Sequence, residues 1–384
     1  MPSRARKSPL RHLVWIIPLL VLDFFLFRWL ALRQGGCRLA PSPLPEISAP
    51  AEPVAPPPVW RDMVPPTPQT NLLNPDEPGV LMPTASGRIE SARFGSTRTT
   101  SRGTARFHEA VDIAPLERDR RGAATDPVRA AAAGRVAFVN DHGGNSSYGR
   151  YVVLEHPDPS LGATTRRDGS LEPAAVYTLY AHLDDVRFGI RRGRDVEAGE
   201  EIGVMGRSSN TRPPIPLARC HLHWEIGLML NSRFDVYARR QKGQIPFGDY
   251  NGGNLFGIDP LDFWAARHRD PGLTMATYLA SVPPAAVVVL RGRHPDYFQR
   301  FPALWRGAPH DGGPMVLEVS ESGLPLSGRN AGTREADVLG NRRHAVLRID
   351  PDVLGRNGRG FFARTRDGWE FTSQGRRWAE LLLF

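Results

Sequence analysis

The polar and apolar positions of the chain fall into four textures. The first is a nearly unbroken apolar run, LVWIIPLLVLDFFLFRWLAL from Leu13 to Leu32, behind a cationic front of Arg4, Arg6, Lys7 and Arg11. A bilayer-spanning helix needs roughly 20 such residues. Asp23 and Arg28 interrupt the run. A central carboxylate costs roughly 3 kcal/mol, which this much Leu, Ile, Val and Phe offsets, and an arginine near the end can reach the interface. The basic residues place the N-terminus in the cytoplasm. A cleaved signal peptide is the competing reading. Its apolar region would be unusually long, and cleavage after Ala40 would leave Arg38 where a small residue is wanted. The expectation is a cytoplasmic tail over 1–12 and an uncleaved transmembrane anchor over 13–33.

The second texture, 34–80, is rich in proline (PSPLPE, AEPVAPPPVW, VPPTP). It reads as an extended spacer that holds a domain away from the membrane. The third, 81–268, alternates short apolar segments with glycine turns: GRVAFVN, YGRYVVLEH, AVYTLYAHL, EIGVMG and CHLHWEIGLML. Strand-length segments enriched in Val, Ile, Tyr and Phe predict a mainly β domain. The fourth, 269–384, reads as a small α+β domain of unassigned role. MATYLASV and PDYFQRFPALW look helical, MVLEVS and HAVLRID look like strands, and GFFARTRDGWEFT looks like a hairpin turning at Asp367-Gly368. A last helix is expected at SQGRRWAELLLF.

Composition adds limits. A chain of 384 residues suggests two domains plus non-globular parts, and 41% hydrophobic residues suffice for a packed core. The net charge of +9 is carried almost wholly by arginine, with lysine only at Lys7 and Lys242. No basic run is interleaved with aromatics, which argues against nucleic-acid binding. Cys37 and Cys220 lie in unlike surroundings and make no disulfide framework.

Three histidine-containing segments carry the candidate chemistry: FHEAVDIAP with His108 and Asp112, LYAHLDD with His182, and CHLHWEI with His221 and His223. On a strand, residues i and i+2 share a face. His221 and His223 then emerge together, while Cys220, Leu222 and Trp224 turn to the opposite, apolar face. His108 and Asp112 share a face if their segment is extended, as Val111, Ile113 and Pro115 favour. A set of His, Asp and His suits Zn²⁺ with the fourth position left for water. Spacing alone leaves open which histidine of the H-L-H pair is the ligand.

These segments resemble the lysostaphin-type (LytM-like) zinc metallopeptidases, whose pattern is H-x-x-x-D, then Y-A-H, then H-L-H-[F/W]-E. The counterparts here are His108 to Asp112, Tyr180 to His182 and His221 to Glu225, and GIDPLDFW closes a resemblance spanning roughly 81–268. The resemblance implies an antiparallel β peptidase domain with an open zinc cleft. It implies that His108, Asp112 and His223 bind zinc and that His182 and His221 flank the reacting water and carbonyl. The implied substrate is peptidoglycan, in its cross-links or stem peptides, with direct cross-links the default bond, and the expected N-terminal anchor puts the cut outside the cytoplasm at the inner membrane. The alternative is a non-catalytic relative that binds the wall or activates other hydrolases. Glu225 is open between support of a ligand and a structural role. Ala110 departs from the family, which usually has glycine there. His142 and His156 match no ligand position. Oligomeric state is open.

Overall fold

A computed structural model describes residues 59–99, 105–165, 170–242, 247–355 and 357–384. The expected tail and anchor over 1–33 lie outside the described residues, as does Cys37. Among the described residues no helix is long and apolar enough to cross a membrane.

The centre of the fold is a seven-stranded antiparallel sheet. Its strands run in the order Asp195–Val196, Gly134–Asn140, Arg150–Pro157, Ala175–Leu183, Leu222–Met229 and Leu255–Ile258, with Val111–Ile113 also paired to Leu222–Met229. Leu222–Met229 is therefore flanked twice: His223 stands opposite Asp112 on one side and Ala181 on the other. Both faces of this sheet are covered, so its strands read as apolar runs with an alternation hidden inside them. Val152, Leu154, Tyr180, Trp224 and Ile226 turn to the main core. Tyr151, Val153, Tyr177, Leu179 and Ala181 form a smaller cluster on the other face.

A second, four-stranded sheet is built from the C-terminal part, in the order Pro325–Asn330, Pro314–Val319, Ala286–Arg291 and His344–Ile349. The expected helices are present at Met275–Ser281, Asp296–Arg300 and Ser373–Leu382. The hairpin is present too, but Thr365 pairs with Gly368, so its turn is Arg366-Asp367, one residue earlier than expected. Gly368, at φ 132, opens the returning strand instead. One buried core runs from the central sheet into this module. Asn231 Nδ2 donates to Leu381 O at 2.9 Å and Ser322 Oγ to Gly257 O at 2.8 Å.

Within the range expected as a spacer, 34–58 lies outside the described residues. From Val59 onward it packs: Trp60, Leu72 and Val80 are buried. Trp60 Nε1 donates to Asp158 Oδ2 at 2.9 Å, and its ring meets His156 and Phe263 at 5.2 and 5.3 Å. Proline gives extended backbone, but a tryptophan within such a stretch still gains by burying its ring.

His156 is fully buried within its strand, with Nδ1 donating to Ala133 O at 2.8 Å. Burial lowers its pKa from 6.5 to about 4. Between those values the unfolded chain binds a proton that the native state does not, so stability falls as pH drops from 6.5 towards 4. His156 alone contributes up to about 3 kcal/mol to that loss. Urea unfolding at pH 7 and pH 5 should show a smaller loss for His156→Gln than for the parent chain; equal losses would contradict this assignment.

Candidate metal centre

His108 follows the strand Ala105–Phe107, and Asp112 lies in the strand Val111–Ile113. The expected single extended segment is thus two short strands separated by His108–Ala110. The bend, rather than strand alternation, brings His108 Nε2 to 3.1 Å from Asp112 Oδ1. Ala110 is buried at an ordinary negative-φ backbone, so a side chain is accommodated where the family pattern has glycine. His223 reaches the same point from the neighbouring strand, with Nδ1 3.1 Å from Asp112 Oδ1 and 3.3 Å from His108 Nε2. Donor atoms of these three side chains lie within 4.8 Å of one another, all buried.

The outward-facing atoms of each group are engaged. His108 Nδ1 donates to Arg93 O at 2.9 Å, which leaves Nε2 as a lone-pair donor. His223 Nε2 donates to Glu225 Oε1 at 3.0 Å, which frees Nδ1. The hydroxyls of Tyr148 and Tyr177 donate to the two Glu225 oxygens at 2.8 and 3.1 Å. Arg98 Nη2 holds Asp112 Oδ2 at 2.5 Å, so Oδ1 faces the cluster. Burial acts to raise the Asp112 carboxyl, but Arg98, His108 and His221 hold it well below the usual carboxylate range. Burial, opposed by Asp112, lowers His108 to about 4. Burial also acts to lower His223, but its bonds to Asp112 and Glu225 win and its pKa is raised. Two imidazole lone pairs and one carboxylate oxygen, oriented from behind, are the N, N, O set that suits tetrahedral zinc with one open position.

His182 and His221 stand beside this cluster, with ring centroids 4.8 Å apart. His221 is on the same strand face as His223, as alternation predicts. His182 is not where alternation would put it. Even-numbered positions of its strand, such as Tyr180, face the main core, and His182 escapes through a bulge. The register slips between Arg150 and Val152, so Tyr151 stands opposite both Ala181 and His182. His182 sits at φ 61, a left-handed conformation uncommon in non-glycine residues. The bulge aims the ring into the cleft. Nδ1 of His182 donates to Ser208 O at 2.8 Å and Nδ1 of His221 to Arg219 O at 2.7 Å, so both Nε2 atoms carry lone pairs. Burial and the neighbouring histidines hold His182 well below 6.5; burial, opposed by Asp112, lowers His221.

Residues 106–233 match the model of peptidase family M23. This segment belongs to that family. M23 peptidases are zinc-dependent, and the His108, Asp112, His223 cluster of the M23 segment fits that ion. Solved structures similar to the chain include a zinc-containing peptidase from Vibrio cholerae, at 23% identity, over 38% of this chain and 36% of that one, with a TM-score of 0.24. The chain thus spans about a third of that relative's length. Another is the catalytic domain of the antimicrobial peptidase lysostaphin from Staphylococcus simulans, at 18% identity, over 45% of this chain and 89% of that one, with a TM-score of 0.25. No curated protein matches the chain.

Residues outside the three histidine motifs also shape the cleft. Arg98 and Arg219 line the cleft with His108, His182, His221 and His223, and Tyr148 closes it near His223. Among many arginines, these two carried no signal of their own. His142 is an exposed residue beside Asp141, and Cys220 is buried and unpaired among the described residues.

Proposed function

We propose that this chain is a zinc metallopeptidase that hydrolyses peptide bonds of bacterial peptidoglycan. The observation that carries the reading is the buried trio of donor atoms, each turned towards one point by a hydrogen bond or ion pair on its far side. In this reading His108 Nε2, Asp112 Oδ1 and His223 Nδ1 hold the ion. Zinc there supplies Lewis acidity and a water made nucleophilic near neutral pH. His182 and His221 each offer a neutral Nε2 to take up the proton released in the attack. Once protonated, either ring can donate to the carbonyl oxygen or return the proton to the leaving amine. Their Nδ1–H bonds to backbone carbonyls fix ring orientation throughout. The apolar run 13–33 then anchors the chain in the inner membrane with the M23 segment outside the cytoplasm. Membrane fractionation and a reporter joined at Pro50 test that placement.

Digestion of purified cross-linked sacculi by the zinc-loaded chain, with products identified by mass, tests the activity. New peptide ends that vanish on chelation are expected; intact sacculi under both conditions would overturn the reading. Glu225→Gln should weaken zinc binding by about 10–100-fold, because the amide cannot accept from His223 and both tyrosines at once. Competition against a zinc-sensitive dye measures it, and an unchanged affinity would leave Glu225 a structural carboxylate.

A further inference from the structure

Beside the metal cleft lies a second cavity of about 400 Å³ that shares Arg106, Phe107, Glu109, Ser147 and Tyr148 with it. Its size is within the range of about 300–1,000 Å³ typical of ligand sites. Part of its wall comes from the C-terminal module, through Gly358, Arg359 and Gln374. This wall is fixed in place. A Cβ at Gly358 would come within 2.8 Å of Thr97 Oγ1 and 3.1 Å of Phe107 Cδ2, so the backbone of the module lies hard against the strand that leads to His108. Arg359 Nε donates to Ser322 O at 2.7 Å. Its guanidinium sits 4.5 Å from the Phe256 ring centroid and 5.3 Å from that of Phe107. Nη2 forms an off-axis ion pair with Glu109 Oε2 at 2.6 Å.

Glu109 is the only carboxylate among the described residues that line this cavity, and Arg359 occupies it. The lining is left with an excess positive charge at Arg106, which is exposed and in no ion pair among the described residues. Asn145, Asn210 and Gln374 add amide groups that can donate to and accept from a peptide. A guanidinium beside amides suits a carboxylate, which it grips through two parallel hydrogen bonds.

We propose that the C-terminal module completes the substrate cleft, and that this cavity is a subsite for a peptide branch ending in a free carboxylate, anchored on Arg106 with Arg359 holding the wall. The assignment rests on the peptidase reading above. By engaging Glu109, Arg359 keeps that carboxylate from competing for Arg106, so a residue about 250 positions away in sequence sets the charge that a substrate branch meets.

The test reads binding, not turnover. Two fluorescent branched peptides differ only in whether the branch ends as carboxylate or carboxamide. Each is titrated into the zinc-loaded full chain carrying His182→Ala, so that neither is consumed. The carboxylate peptide should bind about tenfold tighter, as for a charged hydrogen bond partly screened by solvent. Arg106→Gln should reduce that preference to within twofold, and Arg359→Met should also reduce it by releasing Glu109. Equal binding of both peptides by the parent, or a preference that survives Arg106→Gln, would overturn the subsite. A preference that survives Arg359→Met in a folded variant would overturn the role of the module. Arg106 is exposed, so its variant folds and carries the test alone if Arg359→Met does not. Failure of the chain with His182 intact to cleave any peptide would count against the peptidase reading and leave this binding result standing.

Discussion

His223→Ala is expected to empty the metal centre. Its Nδ1 is one of three donor atoms within 4.8 Å of one another, and its Nε2 links that centre to Glu225. Without the ring, His108 and Asp112 remain with Arg98 at 2.5 Å from the carboxylate, a cation that opposes a second cation nearby. Zinc measured by elemental analysis should fall from about one per chain to background, and hydrolysis should fall to the level of the chelated parent. His221→Ala is the control. His221 Nε2 lies 3.7 Å from Asp112 Oδ1, and its ring is held through Nδ1 by a backbone carbonyl. That variant should keep its zinc. The opposite pattern, with zinc lost from His221→Ala and kept by His223→Ala, would reverse the roles of the pair.

The second large effect is on rate alone. His182→Ala removes an imidazole whose Nε2 is aimed into the cleft and whose Nδ1 rests on Ser208 O, without removing a member of the donor trio. Zinc content should stay near one per chain. The rate should fall by roughly 10²–10⁴, the loss expected for a positioned acid–base or one oxyanion donor. His221→Ala should lose rate by a similar factor. Loss of zinc from His182→Ala would show that the ring supports the ion instead. Alanine at 182 also inherits φ 61, so thermal unfolding should be compared alongside, to separate lost chemistry from backbone strain.

What the sequence made legible follows from what is local. The i, i+2 spacing of His221 and His223 and the apolar Leu222 and Trp224 between and after them fixed a strand with one chemical and one packing face. In the C-terminal part Met275–Ser281, Pro314–Val319 and Ser373–Leu382 are legible from their own periods, whereas the strands Ala286–Arg291 and Pro325–Asn330 and the helix Thr333–Leu339 are not among the expected elements. What could not be read depends on chain segments far apart. Glu225 receives Tyr148 across 77 positions and Tyr177 across 48. Trp60 reads as part of a spacer because the groups that hold it, His156, Asp158 and Phe263, lie about 100 or more positions away. His182 obeyed no alternation, since its direction is set by a bulge whose other half is Tyr151. The bend at His108 is not legible, because Val111 and Ile113 favour extension and nothing in His108–Ala110 announces a turn.

The register that sets His223 opposite Asp112 joins positions 111 residues apart. Its consequence is kinetic. Closing so long a loop costs entropy before any donor set exists, and pairings of this kind form late and slowly. An ion therefore meets its full complement of ligands only after the ladder is assembled, unlike the short zinc modules in which the metal drives folding. The free energy of binding is added to the finished state and not to the barrier that leads to it. Saturating zinc should leave the refolding rate of the chain almost unchanged and slow its unfolding, so the metal acts as a lock on an assembled sheet and not as its nucleus.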